Sequence, residues 1–155
     1  MKKILILPAL LLLLSGCIFD NDDTSELYQN NEYGFAISLP DKISKKESSA
    51  NKKRPTITFK NTNLNFDVRL YIDLNKDLNN FHWRDKEADS KGLLAGNEAN
   101  IYKAPNGYCD GPGCSFPYIA YATKYDGNFY ILSFYGDAEL SEEEKRILES
   151  FNFVK

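Results

Sequence analysis

The pair Asp126-Gly127, set between two apolar runs, constrains the fold of this 155-residue chain more than any other feature. Aspartate followed by glycine is a preferred pair for a two-residue type I′ turn, in which both central residues take positive φ. Folding residues 116–135 about that turn sets three pairs on one face: Thr123 with Tyr130, Tyr121 with Leu132, and Ile119 with Phe134. The sequence therefore predicts a long antiparallel hairpin whose second face, smaller but still apolar, is suited to partial cover by a helix.

Four further stretches have the composition of strands: 33–39, 55–60, 66–73 and 96–103. In 66–73, the apolar residues alternate with Asp, Arg and Tyr, which is typical of a sheet with one packed face and one wet face. Residues 42–54 are rich in Lys, Ser and Asn, and they are predicted to be a solvated connection between strands.

Two helices are predicted. A short one covers 77–88, with Asp77 as its N-cap. The other starts at Ser141, whose spacing to Glu144 is that of a capping box. Three of its apolar residues are expected to face the sheet: Ile147, Leu148 and Phe151. Residues 151–154 then leave the helix and are suited to a final edge strand. The expected fold class is α+β, an antiparallel sheet with short helices packed on it and a C-terminal helix after the long hairpin.

Three local strings resemble the PsbP-like and DcrB-like proteins. They are Asn-Glu-Tyr-Gly-Phe-Ala-Ile-Ser-Leu-Pro at 31–40, Asp-Gly-Asn-Phe-Tyr-Ile-Leu at 126–132, and Ile-Leu-Glu-Ser-Phe-Asn-Phe at 147–153. The resemblance spans about residues 31–154 and implies an α/β/α sandwich. It implies binding or assembly roles and no chemistry, and many bacterial members of the group are lipoproteins. The cysteine loop described below is a departure from the group, which leaves any particular partner open.

The N-terminus has the layout of an export signal. Lys2 and Lys3 precede an apolar run at 4–14, which is too short for a membrane-spanning helix and suits a signal peptide. The following Leu14-Ser15-Gly16-Cys17 resembles the bacterial lipobox. That resemblance implies cleavage before Cys17, a diacylglycerol on its thiol and an acylated, typically palmitoylated, amino terminus. The alternative is a plain signal peptide or an N-terminal membrane anchor that happens to contain a cysteine.

These features divide the chain into a signal peptide at 1–16, a flexible tether at 17–30 and a single α+β domain at 31–155. They predict a lipid-anchored protein of the cell envelope. In the sorting pattern of enterobacterial lipoproteins, Asp after the modified cysteine favours the inner membrane. Ile18 at that place favours the outer membrane, facing the periplasm, if the bacterium has two membranes.

Cys109 and Cys114 enclose Asp-Gly-Pro-Gly, and in an oxidising compartment they are expected to form a disulfide that closes a small ring. A ring this short contributes only about 2 kcal/mol, so its main effect is to fix the shape of a loop at 106–117. A redox pair or a metal site is the less favoured alternative, because the spacing is not Cys-x-x-Cys and the chain has one His. Tyr108, Asp110 and Phe116 near the tip are candidate partner contacts, and a purely structural loop is the other interpretation.

Phe81-His82-Trp83 is a second candidate contact, or simply a segment that packs on the sheet. No catalytic triad, phosphate loop, metal site or cofactor is indicated. Net charge is −3, and about −5 without Lys2 and Lys3 (17 basic against 22 acidic residues), which argues against nucleic acid as a partner. The expected function is a non-enzymatic binding or accessory module with a protein partner. The alternative is an envelope glycan-binding protein or hydrolase, with Tyr71 or Tyr118 stacking on a sugar ring.

Overall fold

A computed structural model of the chain describes residues 25–40, 43–48, 55–61, 67–74, 86–110, 113–137 and 139–154. These ranges contain twelve strands and one helix. The strands are β1 (Ser25–Asn30), β2 (Phe35–Pro40), β3 (Ile43–Ser48), β4 (Thr56–Asn61), β5 (Asp67–Asp73), β6 (Ser90–Leu94), β7 (Asn97–Ala104), β8 (Tyr108–Asp110), β9 (Gly113–Ser115), β10 (Tyr118–Tyr125), β11 (Asn128–Tyr135) and β12 (Asn152–Phe153), and the helix is α1 (Glu142–Ser150).

The strands form three antiparallel sheets. The large sheet has the order β3-β4-β5-β11-β10-β7-β6, the small sheet has the order β1-β2-β12, and β8 and β9 pair only with each other. Most of the described chain is therefore strand. The expected α+β fold with several packed helices, and the α/β/α sandwich implied by the resemblance, are wrong: among the described residues α1 is the one helix.

The long hairpin is confirmed with its register. Thr123 pairs with Tyr130, Tyr121 with Leu132, and Ile119 with Phe134. The turn residues Asp126 and Gly127 have φ values of 46° and 80°, the left-handed backbone that a type I′ turn requires. The hairpin forms the middle of the large sheet, because β5 pairs with β11 and β7 pairs with β10.

The main core lies between the large sheet on one side and the small sheet with α1 on the other. Phe35 and Phe151 stack with their ring centroids 5.6 Å apart, and both side chains are fully buried. They pack in one cluster with buried residues of the large sheet, among them Phe59, Val68, Leu70, Leu132 and Phe134. The two sheets and the helix thus share one hydrophobic core.

Helix α1 begins as the sequence predicts. The Ser141 hydroxyl accepts a hydrogen bond from the Glu144 backbone N–H, and the Ser141 backbone N–H donates to the Glu144 carboxylate at 2.8 Å. Ile147 and Phe151 are buried in the core and Leu148 packs against it, which confirms the predicted inward face. The chain then forms β12 beside β2, which confirms the predicted last strand.

Three strands occupy segments in which the sequence suggested none. Strand β1 is the last part of the predicted tether, β3 lies in the predicted connection 42–54, and β6 follows the predicted helix 77–88. All three are edge strands, so one side of each has no neighbouring strand to pack with and the apolar alternation that marks a strand is weak. Of the predicted helix, residues 86–88 are not helical and residues 77–85 lie outside the described residues.

Candidate functional site

The two cysteines of the predicted ring lie directly opposite each other. In the β8–β9 hairpin, Tyr108 pairs with Ser115, Cys109 with Cys114, and Asp110 with Gly113. In a two-residue hairpin the pair next to the turn is hydrogen-bonded and the pair after it is not. The Cα atoms of such a non-hydrogen-bonded pair are about 4.5 Å apart, within the range that a disulfide bridges. The backbone register is therefore compatible with the Cys109–Cys114 disulfide, which stays a prediction.

Phe116 is the most exposed large apolar side chain among the described residues, with 75% of its surface accessible. It directly follows β9, so it lies at the base of the hairpin that carries the predicted contacts Tyr108 and Asp110. The other predicted contacts, Phe81, His82 and Trp83, and the lipidation residue Cys17 lie outside the described residues. The structure thus brings three of the six predicted contact residues onto one hairpin.

Two backbone hydrogen bonds flank the base of this hairpin where the chain leaves and rejoins the large sheet. The backbone N–H of Gly107 donates to Ala104 at 3.0 Å, and that of Gly136 donates to Pro117 at 2.9 Å. Tyr118, two residues after Phe116, is buried, with 4% of its surface accessible. The exposed Phe116 ring is therefore only two residues from a buried ring at the start of β10, so Phe116 lies close to this end of the large sheet.

A second cluster, which the sequence did not indicate, lies on the face of the large sheet opposite the main core. It consists of Arg69, Tyr71, Tyr118 and Tyr135, here called the arginine–tyrosine cluster. The Arg69 guanidinium lies 4.5 Å from the centre of the Tyr135 ring, and one of its nitrogen atoms donates a hydrogen bond to the Asp67 carboxylate at 3.2 Å. The hydroxyls of Tyr71 and Tyr135 share a hydrogen bond at 3.1 Å. Arg69 and Tyr135 are 66 positions apart, and the pairing of β5 with β11 brings them together, which no local pattern reveals.

Two side chains of this cluster, Arg69 and Tyr135, have shifted pKa values. Burial of the guanidinium acts to lower the pKa of Arg69, but hydrogen bonding and charge interaction with Tyr71, and the hydrogen bond to Asp67, outweigh it and leave the pKa raised. For Tyr135, burial and then the neighbouring Tyr71 raise the pKa well above its ordinary value, against the opposing charge of Arg69. Arg69 and Tyr135 therefore both keep their protons throughout the physiological pH range.

The raised pKa of Tyr135 predicts a loss of stability in alkali. The unfolded chain releases the tyrosine proton near pH 10 while the folded chain retains it, so the free energy of unfolding falls as pH rises above about 10. We expect Tyr135→Phe to make that decline shallower by up to about 1.4 kcal/mol per pH unit, measured by urea unfolding between pH 8 and 11.5. Because Tyr121 and Tyr130 also have raised pKa values, the difference between the two proteins is the quantity to compare. Parallel pH profiles would contradict the prediction.

In the part of the chain that the structure describes, two polar atoms on this face are buried without a hydrogen-bond partner, the Arg69 Nε and the Ser133 Oγ. Their residues are directly paired across β5 and β11. An unpaired buried hydroxyl destabilises the folded state, so Ser133→Ala should leave the free energy of unfolding unchanged or raise it by about 1 kcal/mol.

Thr123→Val is the matched comparison for Ser133→Ala. Thr123 is also buried, but its hydroxyl donates to the Glu98 carbonyl at 2.7 Å. Removing that hydrogen bond should lower the free energy of unfolding by about 1 kcal/mol. Urea unfolding of both variants measures the contrast, and a clear loss of stability in Ser133→Ala would show that its hydroxyl has a partner in solution.

Two clefts flank Pro40 at one end of the small sheet. The larger, about 260 Å³, lies between the small sheet and α1 and is lined by Ser25, Ser38, Pro40, Glu143, Arg146, Ile147 and Ser150. The smaller, about 180 Å³, is lined by Glu26, Tyr28, Leu39, Pro40 and Ile43. Among the described residues each cleft is lined by one carboxylate, Glu143 in the larger and Glu26 in the smaller, which is not the pair that a glycoside hydrolase uses. Tyr118, proposed above to stack on a sugar, is buried, and the Tyr71 hydroxyl is bonded to Tyr135.

Within the described ranges, no three His, Cys, Asp or Glu residues come together as a metal site. The same part of the chain has no helix of the length and apolar character needed to cross a membrane. In comparisons with known proteins, the sequence matches no family model and no curated protein. Function therefore has to be argued from the residues themselves.

Proposed function

We propose that this protein is a lipid-anchored binding module of a bacterial cell envelope, held on a membrane through Cys17, which acts without catalysis by binding a protein partner. The contact surface is the β8–β9 hairpin with Phe116. In a bacterium with two membranes, the anchor places the domain on the outer membrane, facing the periplasm.

One observation carries this proposal: an aromatic ring with 75% of its surface accessible directly follows the β8–β9 hairpin. Exposed aromatic side chains are the residues that most often dominate protein interfaces, because they bury a large area when they enter a pocket on the partner. A hairpin whose cysteines lie opposite each other is suited to a disulfide. Such a preordered loop loses little conformational entropy on binding.

Cross-linking in intact cells, followed by mass spectrometry, tests the proposal. We expect Phe116→Ala, alone and with Tyr108→Ala, to reduce the cross-linked product about tenfold or more, as for an interface residue worth about 2 kcal/mol. Because Phe116 is exposed, its removal should change the free energy of unfolding by less than about 0.5 kcal/mol.

Leu93→Ala is the matched control for Phe116→Ala, since Leu93 is also a large exposed apolar residue, with 64% of its surface accessible, but lies on edge strand β6. It should leave the cross-linked product unchanged. Equal yields for wild type and Phe116→Ala would remove the hairpin from the contact surface. Equal losses in Phe116→Ala and Leu93→Ala would indicate nonspecific apolar adhesion.

A further inference from the structure

The strand pairing shows which end of the large sheet carries the β8–β9 hairpin. Ala104, the last residue of β7, pairs with Tyr118, the first residue of β10, and the chain between them forms β8 and β9. The hairpin therefore extends beyond the row in which Tyr118 pairs with Tyr135 and Tyr135 with Asp67. We call this side of the molecule the hairpin end. The Asp126-Gly127 turn lies at the opposite end of the same strands.

The polypeptide enters the described domain at this same end. Ser25 pairs with Pro40, and Pro40 is three residues from Ile43, which pairs with Asn61. Asn61 lies one residue beyond Lys60, the partner of Asp67, and so belongs to the hairpin end. The other end of the small sheet lies by the opposite end of the large one, where the Tyr130 hydroxyl donates to the Tyr33 carbonyl at 2.8 Å. The small sheet therefore runs the length of the large one, with Ser25 at the hairpin end.

The length of the tether limits how the domain is oriented on a membrane. Eight residue steps separate Cys17 from Ser25, and they span at most about 29 Å in any conformation. Turning the hairpin end away from the bilayer would make the tether run past the whole sheet. Strand β10 alone, with eight residues, is about 24 Å long. That orientation uses almost the full reach of the tether, whereas the reverse orientation needs little of it.

We propose that the hairpin end faces the membrane and that Phe116 binds a protein held in the same membrane, in an apolar pocket within about 30 Å of the bilayer surface. This inference rests on the proposed function and specifies its partner. It excludes a soluble periplasmic protein and a protein of an opposing membrane as the main partner.

The small size of the contact surface favours such a partner. One exposed ring and a short hairpin bury too little area for tight binding between freely diffusing proteins. Confining both proteins to one membrane raises their effective concentration, so a weak contact is still occupied. The lipid surface itself is disfavoured, because the chain carries a net charge of −3 and Asp110 lies in the hairpin, so anionic headgroups repel it.

The test uses full-length lipidated protein with tryptophan introduced as Phe116→Trp, inserted into two kinds of vesicle. One kind is native envelope membrane from the host bacterium lacking its own copy of the protein, and the other is made only from lipids extracted from that membrane. Quenching of tryptophan fluorescence by acrylamide measures the exposure of position 116, after subtraction of the wild-type signal from Trp83. Leu93→Trp is the matched control, because Leu93 is also exposed, with 64% of its surface accessible against 75% for Phe116. It lies near the opposite end of the sheet: Leu93 pairs with Glu98, and the next residue, Ala99, pairs with Thr123 close to the Asp126-Gly127 turn.

We expect quenching at position 116 to fall about threefold or more in native membranes, as for a ring enclosed in a pocket, and to stay high in lipid-only vesicles. Protease treatment of the native membranes before insertion should abolish this protection, and position 93 should remain quenched throughout. Protection in lipid-only vesicles would overturn the inference in favour of the bilayer, and strong quenching in both would overturn it altogether.

A failure of the anchor itself gives a different result, because the protein then does not sediment with either kind of vesicle. A photoreactive phenylalanine analogue at position 116 provides a second measurement should Phe116→Trp disturb the hairpin. Its product with a membrane-embedded protein should disappear when the lipidated protein is replaced, at the same concentration, by a soluble form secreted with an ordinary signal peptide in place of residues 1–17. A product of equal yield with the soluble form would overturn the requirement for a shared membrane.

Discussion

Phe151→Ala is expected to lower the free energy of unfolding by about 3–5 kcal/mol, a large part of the total stability of a domain of this size. The Phe151 ring is fully buried, stacks on Phe35 with the ring centroids 5.6 Å apart, and forms an edge-to-face pair with Phe153 with the centroids 5.4 Å apart. It is the point at which α1, the small sheet and the large sheet meet. Truncation leaves a cavity that three elements would have to close together, so little of the lost packing is recovered.

Urea unfolding followed by far-ultraviolet circular dichroism measures this effect, and the melting temperature should fall by on the order of 10 °C. Phe116→Ala removes the same side chain from an exposed position and should change the free energy of unfolding by less than about 0.5 kcal/mol. Phe151→Leu should lie between the two, because it refills part of the cavity. A loss below about 1 kcal/mol in Phe151→Ala would mean that the two sheets do not share a core in solution.

Cys17→Ser is expected to abolish lipid attachment. A serine hydroxyl does not form the thioether that carries the diacylglycerol, so the precursor should accumulate with its first sixteen residues uncleaved. Each acyl methylene contributes roughly 0.8 kcal/mol to membrane partitioning, so the variant loses the contribution of two or three chains and is held on the membrane only by its uncleaved apolar run at 4–14. Incorporation of labelled palmitate and the size of the protein, precursor or mature, measure the change.

Cys109→Ser with Cys114→Ser is the control for that experiment. It removes the other two thiols of the chain and should leave palmitate incorporation at the wild-type level. If Cys17→Ser gives a protein of mature size that still partitions with membranes, the lipid anchor is refuted. The predicted Cys109–Cys114 disulfide would then lose its support, because it depends on export of the protein to an oxidising compartment.

The sequence was informative wherever a strand lies in the middle of a sheet. Strands β10 and β11 have neighbours on both sides, so their residues are apolar enough to identify, and Asp126-Gly127 then sets their register. Helix α1 was also identifiable, because a capping box is a local pattern of Ser141 and Glu144. Such signals depend on residues close together in the chain, which is why they predicted elements correctly.

The fold class was wrong in part because three edge strands, β1, β3 and β6, do not carry that signal. In β1, Ser25, Glu26 and Gln29 are exposed, so a strand there has the composition of a linker. For the candidate site, the sequence identified Phe116 and the cysteine hairpin from local composition. It did not identify the arginine–tyrosine cluster, because that cluster depends on which strands pair over a separation of 66 residues.

The pairing of β12 with β2 has a consequence for how the molecule is made. Asn152 pairs with Ala36 and Phe153 with Phe35, so the small sheet joins residues near the start of the domain to its last residues. A chain that emerges N-terminus first holds β1 and β2 without their third strand until nearly all of it has appeared. Contacts this distant in sequence form slowly. The small sheet should therefore be completed only after the last residues of the chain have appeared, so the domain is expected to fold late and not segment by segment as it emerges.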